Sequence, residues 1–289
     1  MQRTGLPVFP RHHDSAMLSP YAKKEWLTIL AVGACVGLSL ILLGYWPGAI
    51  GAGLVVGGIL TFFRDPERRV PSQRNAVVAP ADGTVSSIHE LEHFEPFDGP
   101  ATCVRIFMSV FDVHLNRCPC HSRVKSITHQ PGHHRNTLNP EAAEDNESMT
   151  TLLVHPVKGH PVAAVRQIAG LLARTIHNAL DEAQVVQRGQ RMGIIKLGST
   201  TELYLPATLR PEVQIAQGQK VQAGVTVLAT VTPLDPAEGM SPLIKLFDTA
   251  PPPLDPAPQD ADVPAEETDS ALDPAQETTI FARHPRETD

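Results

Sequence analysis

The chain has 289 residues, of which 42% are hydrophobic, so it can form one sizeable domain with its own core. Its net charge of −7 is unevenly placed: after residue 232 there are thirteen acidic and three basic side chains, and residues 1–232 carry +3. A charge this small excludes a strongly basic chain. It fits a lipid surface or a nucleic acid without selecting between these anionic partners.

The cysteine positions exclude a disulfide-stabilised fold. Cys35, Cys103, Cys118 and Cys120 lie at spacings that match no disulfide framework. The pair Cys118 and Cys120 is also too closely spaced for structural zinc, whose paired ligands usually have about two to four residues between them. We predict reduced thiols in a protein that faces the cytosol.

Two apolar segments follow a polar N-terminus at residues 1–24. The first, residues 26–44, has no charge and about the length of a bilayer-spanning helix. The second, residues 49–63, is shorter and rich in glycine, and the turn signal "YWPG" at 45–48 separates the two. We expect residues 25–63 to form a membrane-associating helical hairpin with the aromatic pair of "YWPG" near its tip.

Basic residues on both flanks of this hairpin indicate that both of its ends stay on the cytoplasmic side of the cell membrane. They are Lys23, Lys24, Arg64, Arg68 and Arg69. A cleaved signal peptide is less favoured, because the apolar run is long and no small-residue cleavage site follows it. A buried helical pair in a soluble core is the remaining alternative.

From about residue 74 the sequence changes to short β-like runs. Residues 75–89 predict two strands around a Pro-Ala-Asp-Gly turn, and residues 161–180 predict one helix. Further strands are predicted at residues 101–115, 123–128, 148–155, 193–197, 201–205 and 219–231. The predicted fold is α+β but predominantly β, with a sandwich-like body over residues 64–232. Residues 233–289, rich in Pro, Ala, Asp and Glu, are predicted to be a disordered tail.

A Gly-Ser pair, Gly198 and Ser199, lies between two predicted strands in "MGIIKLGSTTELYLP" at residues 192–206. Glycine and serine are common turn residues, so the simplest prediction is a β-hairpin. The composition of the turn alone does not separate a passive turn from a reactive one. The wider pattern of the chain is needed for that.

Six segments, taken in order, make the sequence resemble the phosphatidylserine decarboxylase family, particularly its short form. They are "FFRDPERRVP" (62–71), "VVAPADGTV" (77–85), "FMSVFDVHLNRCPCHSRV" (107–124), "PGHHRNTLNPEAAEDNES" (131–148), "QIAGLLAR" (167–174) and "RGQRMGIIKLGSTTELYLP" (188–206). An apolar N-terminal anchor is also typical of the family. The acidic tail is not part of the resemblance.

The resemblance implies a proenzyme that cuts itself between Gly198 and Ser199. The Ser199 Oγ attacks the Gly198 carbonyl, and β-elimination of the resulting ester leaves a dehydroalanine. This tautomerises and is hydrolysed with loss of ammonia, which gives an N-terminal pyruvoyl group as a covalent cofactor. The products are a β chain, residues 1–198, and an α chain, residues 199–289. They are expected to stay together as a heterodimer, with or without further oligomerisation.

The resemblance also implies the reaction. The pyruvoyl group derived from Ser199 forms a Schiff base with the amine of phosphatidylserine and accepts electrons as CO2 leaves, which gives phosphatidylethanolamine. The expected activity is that of a pyruvoyl-dependent carboxy-lyase of phospholipid biosynthesis. Its partners are phosphatidylserine and membrane phospholipids, with no nucleic acid and no metal. A related isoprenoid lipid with the same phosphoserine head group fits the same chemistry.

Candidate residues for the self-cleavage follow from the same resemblance. Asp82 and His114 match acidic and histidine positions of the family, and with Ser199 they form an Asp-His-Ser arrangement in which the histidine accepts the proton. His121 is a second candidate base. The long form of the family has two histidines three residues apart, and the second of these positions is Arg117 here.

Two further patterns have alternative interpretations. The segment "HQPGHH" at 129–134 offers three histidines, but proline and glycine prevent a helix from presenting them to one metal ion, which favours a phosphate-contacting or substrate-gating loop. The hairpin-like segments 77–88 and 215–231 resemble lipoyl- or biotin-carrier modules, so a non-enzymatic, membrane-anchored carrier or adaptor is the alternative function. A carrier needs a lysine at an exposed hairpin tip, whereas Lys196 precedes the Gly-Ser pair.

Overall fold

The part of the chain that can be described is mostly β-structure. The computed structural model describes residues 17–135, 145–170, 175–195 and 199–232, which all belong to one unit, residues 1–248. The polar N-terminus up to residue 16, Gly198 and the predicted tail at 233–289 lie outside the described residues.

Two α-helices form the N-terminal hairpin. Helix α1 is Lys23–Leu42 and helix α2 is Trp46–Leu60, and short 3-10 turns at Pro20–Ala22 and Thr61–Phe63 flank them. The connection between the helices contains Gly44, whose φ of +74° is a conformation that favours glycine. The two-helix prediction for residues 25–63 is confirmed.

These helices are long and apolar enough to cross a membrane. The spans Pro20–Leu42 and Trp46–Phe63 have 23 and 18 residues, with mean hydropathies of 2.0 and 1.6. None of the apolar window of the first span and 11% of that of the second is buried inside the protein. A helical pair in a soluble core would be mostly buried, so that alternative is wrong, and the exposed apolar helices support membrane association.

Strands make up most of the remaining described chain. In chain order they are β1 (Ala76–Val78), β2 (Gly83–Phe94), β3 (Gly99–Met108), β4 (Leu115–Arg117), β5 (Ser122–Gln130), β6 (Ser148–Val154), β7 (Pro161–Ile168), β8 (Ile176–Asn178), β9 (Val185–Val186), β10 (Arg191–Ile195), β11 (Ser199–Pro206), β12 (Glu212–Val213), β13 (Lys220–Val221) and β14 (Val227–Thr230).

The strands form three sheets within the described residues. The largest has eight strands in the order β13-β2-β3-β11-β7-β6-β5-β9, and the smaller ones have the orders β1-β14-β12 and β4-β10-β8. The paired strands in all three sheets are antiparallel. Together with the two N-terminal helices, these sheets confirm an α+β fold that is predominantly β.

The main hydrophobic core lies between the sheets. Every second side chain of the central strands points into it, as the two-residue period of a strand requires. Residues from all three sheets contribute fully buried side chains, among them Ile106, Met108, Leu203, Leu205, Ile195 and Leu228. The central strand β11 is buried along its whole length, because β3 and β7 pair with its two edges and its two faces are covered.

The predicted helix at residues 161–180 is wrong. The segment contains β7 and β8 instead, and β7 lies between β11 and β6. Val165 and Ile168, whose spacing of three residues is that of one helical face, are both fully buried. A central strand is covered on both faces, so its apolar residues need not alternate, and their spacing here imitates a helical period.

Candidate active site

Ser199 is the first residue of β11 and is fully buried. Its partner across the sheet is Met108, the last residue of β3, and the Ser199 Oγ donates a hydrogen bond to the Met108 Sδ at 3.5 Å. A thioether sulfur is a weak acceptor. Among the described residues, the hydroxyl therefore has no strong hydrogen bond to break before it reacts.

The chain around Ser199 does not form a β-hairpin. Strand β10 before it pairs with β4 and β8, whereas β11 pairs with β3 and β7. The chain between Ile195 and Ser199 therefore passes from a three-stranded sheet to the eight-stranded sheet. The hairpin prediction is wrong because each of the two runs finds its partners elsewhere in the chain.

Asp82 immediately precedes β2 and is 8% exposed. Gly83 beside it packs so closely that a Cβ there would overlap the Phe107 carbonyl oxygen, and this contact brings Asp82 to the end of β3. The Asp82 carboxylate accepts hydrogen bonds from Arg68 Nη2 and from the Ala223 N–H, both at 2.7 Å. Burial raises the pKa of Asp82, and these two partners oppose that rise.

His114 is fully buried just before β4. Its carbonyl oxygen accepts a hydrogen bond from the Ile195 N–H at 3.2 Å, so it lies beside the last described residue before Ser199. The His114 Nδ1 lies 3.0 Å from the Asp112 carbonyl oxygen, which can only accept. In the neutral ring Nδ1 therefore carries the proton and Nε2 the lone pair.

The charge state of His114 suits a proton acceptor. Burial lowers its pKa to about 4, although the hydrogen bond to the Asp112 carbonyl opposes this shift. The ring is therefore neutral near pH 7. The ring of Phe62 packs against it, with the two ring centroids 4.3 Å apart.

Phe62 belongs to the foot of the hairpin, which we define as residues 17–26 and 61–65. The foot packs on the catalytic body through a small apolar cluster that includes Phe62, Phe63 and Ile194. Because Phe62 also covers His114, the foot of the hairpin forms one wall of the candidate site.

The three candidates share a location, but the hydrogen bonds among the described residues do not link them into a chain. Within the described part of the chain, Asp82 is bonded to Arg68 and Ala223 rather than to His114, and the Ser199 hydroxyl is bonded to a sulfur atom. The orienting partner of the His114 ring is a backbone carbonyl. The relay implied by the resemblance thus stays a prediction.

Asn116 connects the segments that carry the candidates. Its side-chain amide donates to the Pro80 carbonyl at 3.3 Å and to the Thr201 Oγ1 at 3.1 Å, and its Oδ1 accepts from Gln167 Nε2 at 2.8 Å. Asn116, Pro80 and Thr201 are each two residues from a candidate, namely His114, Asp82 and Ser199. Nothing in the sequence pattern singled out Asn116, although it is fully buried at the centre of this arrangement.

His121 lies away from Ser199 in the eight-stranded sheet. It precedes Ser122, which begins β5, whereas the residue of β5 level with the start of β11 is Gln130 at the other end. Burial and then neighbouring charges, His121 among them, lower the pKa of His155. The structure therefore groups His121 with the β6–β7 turn and does not bring it to Ser199.

The histidines of the 129–134 segment bind a carboxylate. His129 Nε2 and His134 Nε2 lie 3.0 and 2.9 Å from the two oxygens of Glu147. Burial alone would raise the pKa of Glu147, but these two hydrogen bonds hold that pKa below its ordinary value. His133 instead bonds through its backbone to Asp145 and Glu147. In the described ranges no group of three or more His, Cys, Asp or Glu side chains is arranged to hold a metal ion.

Asp65 joins the foot of the hairpin to the sheet of β4 and β10. Its buried carboxylate pairs with Arg117 at 2.9 Å and with Arg191. Arg117 also donates to the carbonyls of Pro66 and Gly189. Arg117, at the position where the long form has a second histidine, therefore serves an ion cluster. The sequence could not reveal this cluster, because Asp65 is 52 residues from Arg117.

The chain is similar in sequence to known proteins. A family profile described as phosphatidylserine decarboxylase matches residues 58–229. A phosphatidylserine decarboxylase proenzyme of Erythrobacter litoralis is 44% identical over 186 residues, which cover 60% of this chain and 73% of the relative. The proenzyme of Rhodopirellula baltica is 37% identical over 220 residues, 73% of this chain and 91% of the relative. The proenzyme of Azorhizobium caulinodans is 37% identical over 212 residues, which cover 71% of this chain and 87% of the relative.

The matched region covers more than half of the chain and includes Asp82, His114 and Ser199. A carrier or adaptor module accounts only for the two hairpin-like segments at its ends, so that alternative is not favoured. The chain belongs to the phosphatidylserine decarboxylase family, and it is a decarboxylase.

Proposed function

We propose that this chain is a self-processing proenzyme whose mature form decarboxylates phosphatidylserine to phosphatidylethanolamine and CO2. The observation that carries the proposal is the junction at Ser199. There the chain passes from the sheet of β10 to the sheet of β11. The Ser199 hydroxyl is fully buried and donates to the Met108 sulfur, and the neutral His114 lies beside the end of β10. Such a serine is free to attack the peptide bond before it once a base takes its proton.

Processing begins when the Ser199 Oγ attacks the Gly198 carbonyl carbon and His114 Nε2 accepts the hydroxyl proton. The amide bond between Gly198 and Ser199 breaks, and an ester between the Gly198 acyl group and the Ser199 Oγ replaces it. Loss of the Ser199 α-proton then breaks the Cβ–Oγ bond, and Gly198 leaves as the carboxylate end of residues 1–198. Tautomerisation and hydrolysis by one water release ammonia and leave a pyruvoyl group at position 199.

The surroundings of Ser199 fit an uncharged ketone. The neighbouring buried side chains Met108, Asn116 and Thr201 carry no charge, and they hydrogen-bond to one another. When formed, the pyruvoyl group supplies an electrophilic carbonyl that takes the substrate amine and the electrons released with CO2. The chain itself fixes position 199 through the pairing of β11 with β3 and β7, and His114 can accept and return a proton.

We assign proton transfer to His114 and a positioning role to Asp82. The Asp112 carbonyl fixes the tautomer of His114, which is the task that a triad would give to Asp82. Asp82 instead links the start of β2 to Arg68 and to the backbone of Ala223. We assign no role in processing to His121, because the strand register separates it from Ser199.

We further propose that residues 25–63 anchor the enzyme to the cytoplasmic side of the cell membrane. Lys23 and Lys24 are exposed at the start of α1, where they can interact with anionic head groups. Because the foot packs Phe62 on His114, the site lies close to the level at which the helices leave the bilayer. A lipid can then present its head group while its acyl chains stay in the membrane.

Residues 64–232 form the catalytic domain in this proposal, and the cut divides it between two chains. Strand β11 starts the chain of residues 199–289, and it lies between β3 and β7 of the chain of residues 1–198. This pairing supports a lasting heterodimer of the two products.

The first test of self-processing is the intact mass of the purified protein. Wild type is expected to give two fragments split after Gly198, and the smaller one should carry a ketone that hydroxylamine or borohydride modifies. The Ser199→Ala variant should give one uncut chain. Ser122→Ala is the matched control, since Ser122 is also a fully buried first residue of a strand. A folded, uncut wild-type chain would refute self-processing.

The second test is the release of labelled CO2 from phosphatidylserine that carries the label in its serine carboxyl group. Wild type and Ser122→Ala should release it, and Ser199→Ala should not. A processed protein that leaves the label in the lipid would contradict the substrate assignment while leaving the processing chemistry in place.

A further inference from the structure

The connection between β3 and β4 exposes apolar side chains. We call residues 109–113 the β3–β4 loop; in it Val110 is 42% exposed and Phe111 is 83% exposed. Outside the helical hairpin, few large hydrophobic side chains of the described chain are this exposed, and Phe111 is an aromatic one. The exposed phenylalanine and valine are neighbours, so they give the loop an apolar tip.

This loop is attached to the foot of the hairpin. Arg64, directly after the turn that ends α2, donates from Nη2 to the Phe111 carbonyl oxygen at 2.6 Å and from Nη1 to the Thr61 carbonyl oxygen at 2.9 Å. Met17, 88% exposed, lies at the same place, because its carbonyl accepts from the Asp65 N–H. The apolar tip of the loop therefore lies beside the foot of the apolar helices.

The foot also carries residues typical of a membrane–water boundary. Trp26 near the start of α1 donates its indole N–H to the Ser19 carbonyl, and Lys23 and Lys24 lie beside it. Tryptophan and basic side chains at the ends of apolar helices are found at the head-group level. A loop bonded to Arg64 at this foot meets the lipid at that same level.

The loop is closed on itself and supports the candidate base. The backbone N–H and the Oγ of Ser109 both donate to the Asp112 Oδ2, at 2.8 and 2.6 Å. The Asp112 carbonyl in turn orients the His114 ring. Val110 and Phe111 thus form the tip of a braced turn whose other end holds the catalytic histidine.

We propose that Val110 and Phe111 form a second lipid contact. The two side chains enter the head-group region of the same bilayer leaflet that the hairpin foot meets. This contact turns the site toward the lipid surface. The occupant is a phospholipid bilayer, because the tip lies beside the cationic foot of the exposed apolar helices. This inference rests on the proposed function, in that the substrate is a lipid that stays in the membrane.

The first experiment compares Phe111→Asp with Val157→Asp in the full-length protein. Val157 is the matched control, since it is 70% exposed in the β6–β7 turn, far along the chain from the foot. For each variant, CO2 release is measured on phosphatidylserine in phosphatidylcholine vesicles and on monomeric short-chain phosphatidylserine in solution. Cleavage after Gly198 is followed in parallel by mass.

The readout is the ratio of the vesicle rate to the soluble-lipid rate. Phe111→Asp should lower this ratio about tenfold, the effect expected when one phenylalanine loses its burial in lipid, and Val157→Asp should leave the ratio at the wild-type value. An unchanged ratio for Phe111→Asp, or an equal fall for both variants, would overturn the inference. Failure of the wild type to process would instead count against the proposed function, so the two failures are distinguishable.

A second measurement locates the tip directly. Phe111→Trp and Val157→Trp are each bound to vesicles of equal parts phosphatidylcholine and phosphatidylglycerol, with and without bromine on the acyl chains. The wild type already contains Trp26 and Trp46, so its bromine quenching is the baseline. Phe111→Trp should show more quenching than this baseline, and Val157→Trp should not. Equal quenching of both variants would overturn the proposal. So would a fluorescence change of Phe111→Trp that depends on protein concentration without lipid, which would indicate a second copy of the chain.

Discussion

The two faces of strand β11 bury polar groups in opposite ways. On the face toward the main core, Ser199 and Thr201 have uncharged partners. Both hydroxyls contact the Met108 sulfur, at 3.5 and 3.4 Å, and Thr201 also accepts from the Asn116 amide. Each of these interactions is weak or neutral, and the reactive serine has the weakest.

On the opposite face the buried groups are ionic. The Glu202 carboxylate is 1% exposed; it pairs with Arg105, accepts from the Tyr204 hydroxyl and lies 3.7 Å from Arg166. Tyr204 is covered by Phe94, whose ring stacks on it with centroids 4.0 Å apart. Charge-assisted hydrogen bonds are about twice as strong as neutral ones, so this face fixes the strand.

The ionic face of β11 therefore fixes the strand, whereas the uncharged face carries the serine proposed to react. If Ser199 were tied to a carboxylate as Glu202 is tied to Arg105, its hydroxyl would first have to break a strong hydrogen bond. In the proposed function, one strand thus combines an ionic anchor with a weakly bonded nucleophile, three residues apart. Four changes test this division, each directed at one face.

The largest effect is expected from breaking the ionic face. Glu202→Gln leaves Arg105 buried without its counter-charge, which should lower the free energy of unfolding by about 3–5 kcal/mol. The free energy of unfolding is measured by urea titration in detergent. Both proteins also carry Ser199→Ala, which keeps each as one uncut chain. Glu212→Gln, at an exposed position of β12, is the control. A loss no larger than that of the control would show that the ion cluster does not anchor β11.

The dependence of stability on pH tests whether His114 is buried in its neutral form. Burial holds the pKa of His114 at about 4, below its ordinary 6.5, so the folded protein resists protonation that the unfolded chain accepts. Stability should therefore fall as the pH drops from 6.5 toward 4, by up to about 3 kcal/mol, and His114→Gln should lack this slope.

The same shift predicts the pH profile of processing. His114 accepts a proton only when neutral, so the rate of cleavage after Gly198 should persist well below pH 6.5 and decline only toward its lowered pKa of about 4. Mass spectrometry of freshly refolded proenzyme across this range measures the profile. A half-maximal rate near pH 6.5 would mean that the base is a solvated histidine rather than His114.

A smaller effect is expected at Asn116. Asn116→Ala removes the amide that joins Pro80, Thr201 and Gln167 and leaves their buried polar groups unpaired, at a cost of about 1–3 kcal/mol. Processing should slow as well, because the three candidate segments lose their common link. Asn178→Ala is the control, since Asn178 also donates from its side chain to a threonine, at 2.8 Å, but on β8. Equal processing rates in the two variants would remove the positioning role.

The smallest effect is expected at Met108. Met108→Leu keeps the volume but removes the sulfur acceptor, so stability should change by less than about 1.5 kcal/mol. Processing should continue within a few-fold of the wild-type rate, because the sulfur holds the Ser199 hydroxyl only weakly. Loss of processing in this variant would show that the sulfur contact is required for attack.

Much of the fold was predictable because it depends on local pattern. Two uncharged apolar runs predicted both helices, and turn residues such as the Pro-Ala-Asp-Gly of 80–83 marked the strand boundaries. The error at residues 161–180 has a global cause: only the position of β7 between β6 and β11 explains its burial on both sides. The same reason explains why the strands around Ser199 were expected to pair with each other.

The candidate site was predictable only as far as short motifs extend. Ser199, Asp82 and His114 lie within recognisable segments, but the partners of Asn116 are 36, 85 and 51 residues away in sequence. Arg68 and the Asp112 carbonyl likewise act through folded geometry. A sequence pattern can name reactive groups, whereas their tautomers, acceptors and supports are set by contacts between distant segments.

The contact of Phe62 with His114 has a consequence for the order of events during synthesis. The chain is made from its N-terminus, so the helices leave the ribosome well before residue 199 does. In the proposed function, a wall of the site is thus provided by a segment that reaches the membrane first. Under that proposal, self-cleavage follows membrane delivery, and the reactive ketone first forms where its lipid is found.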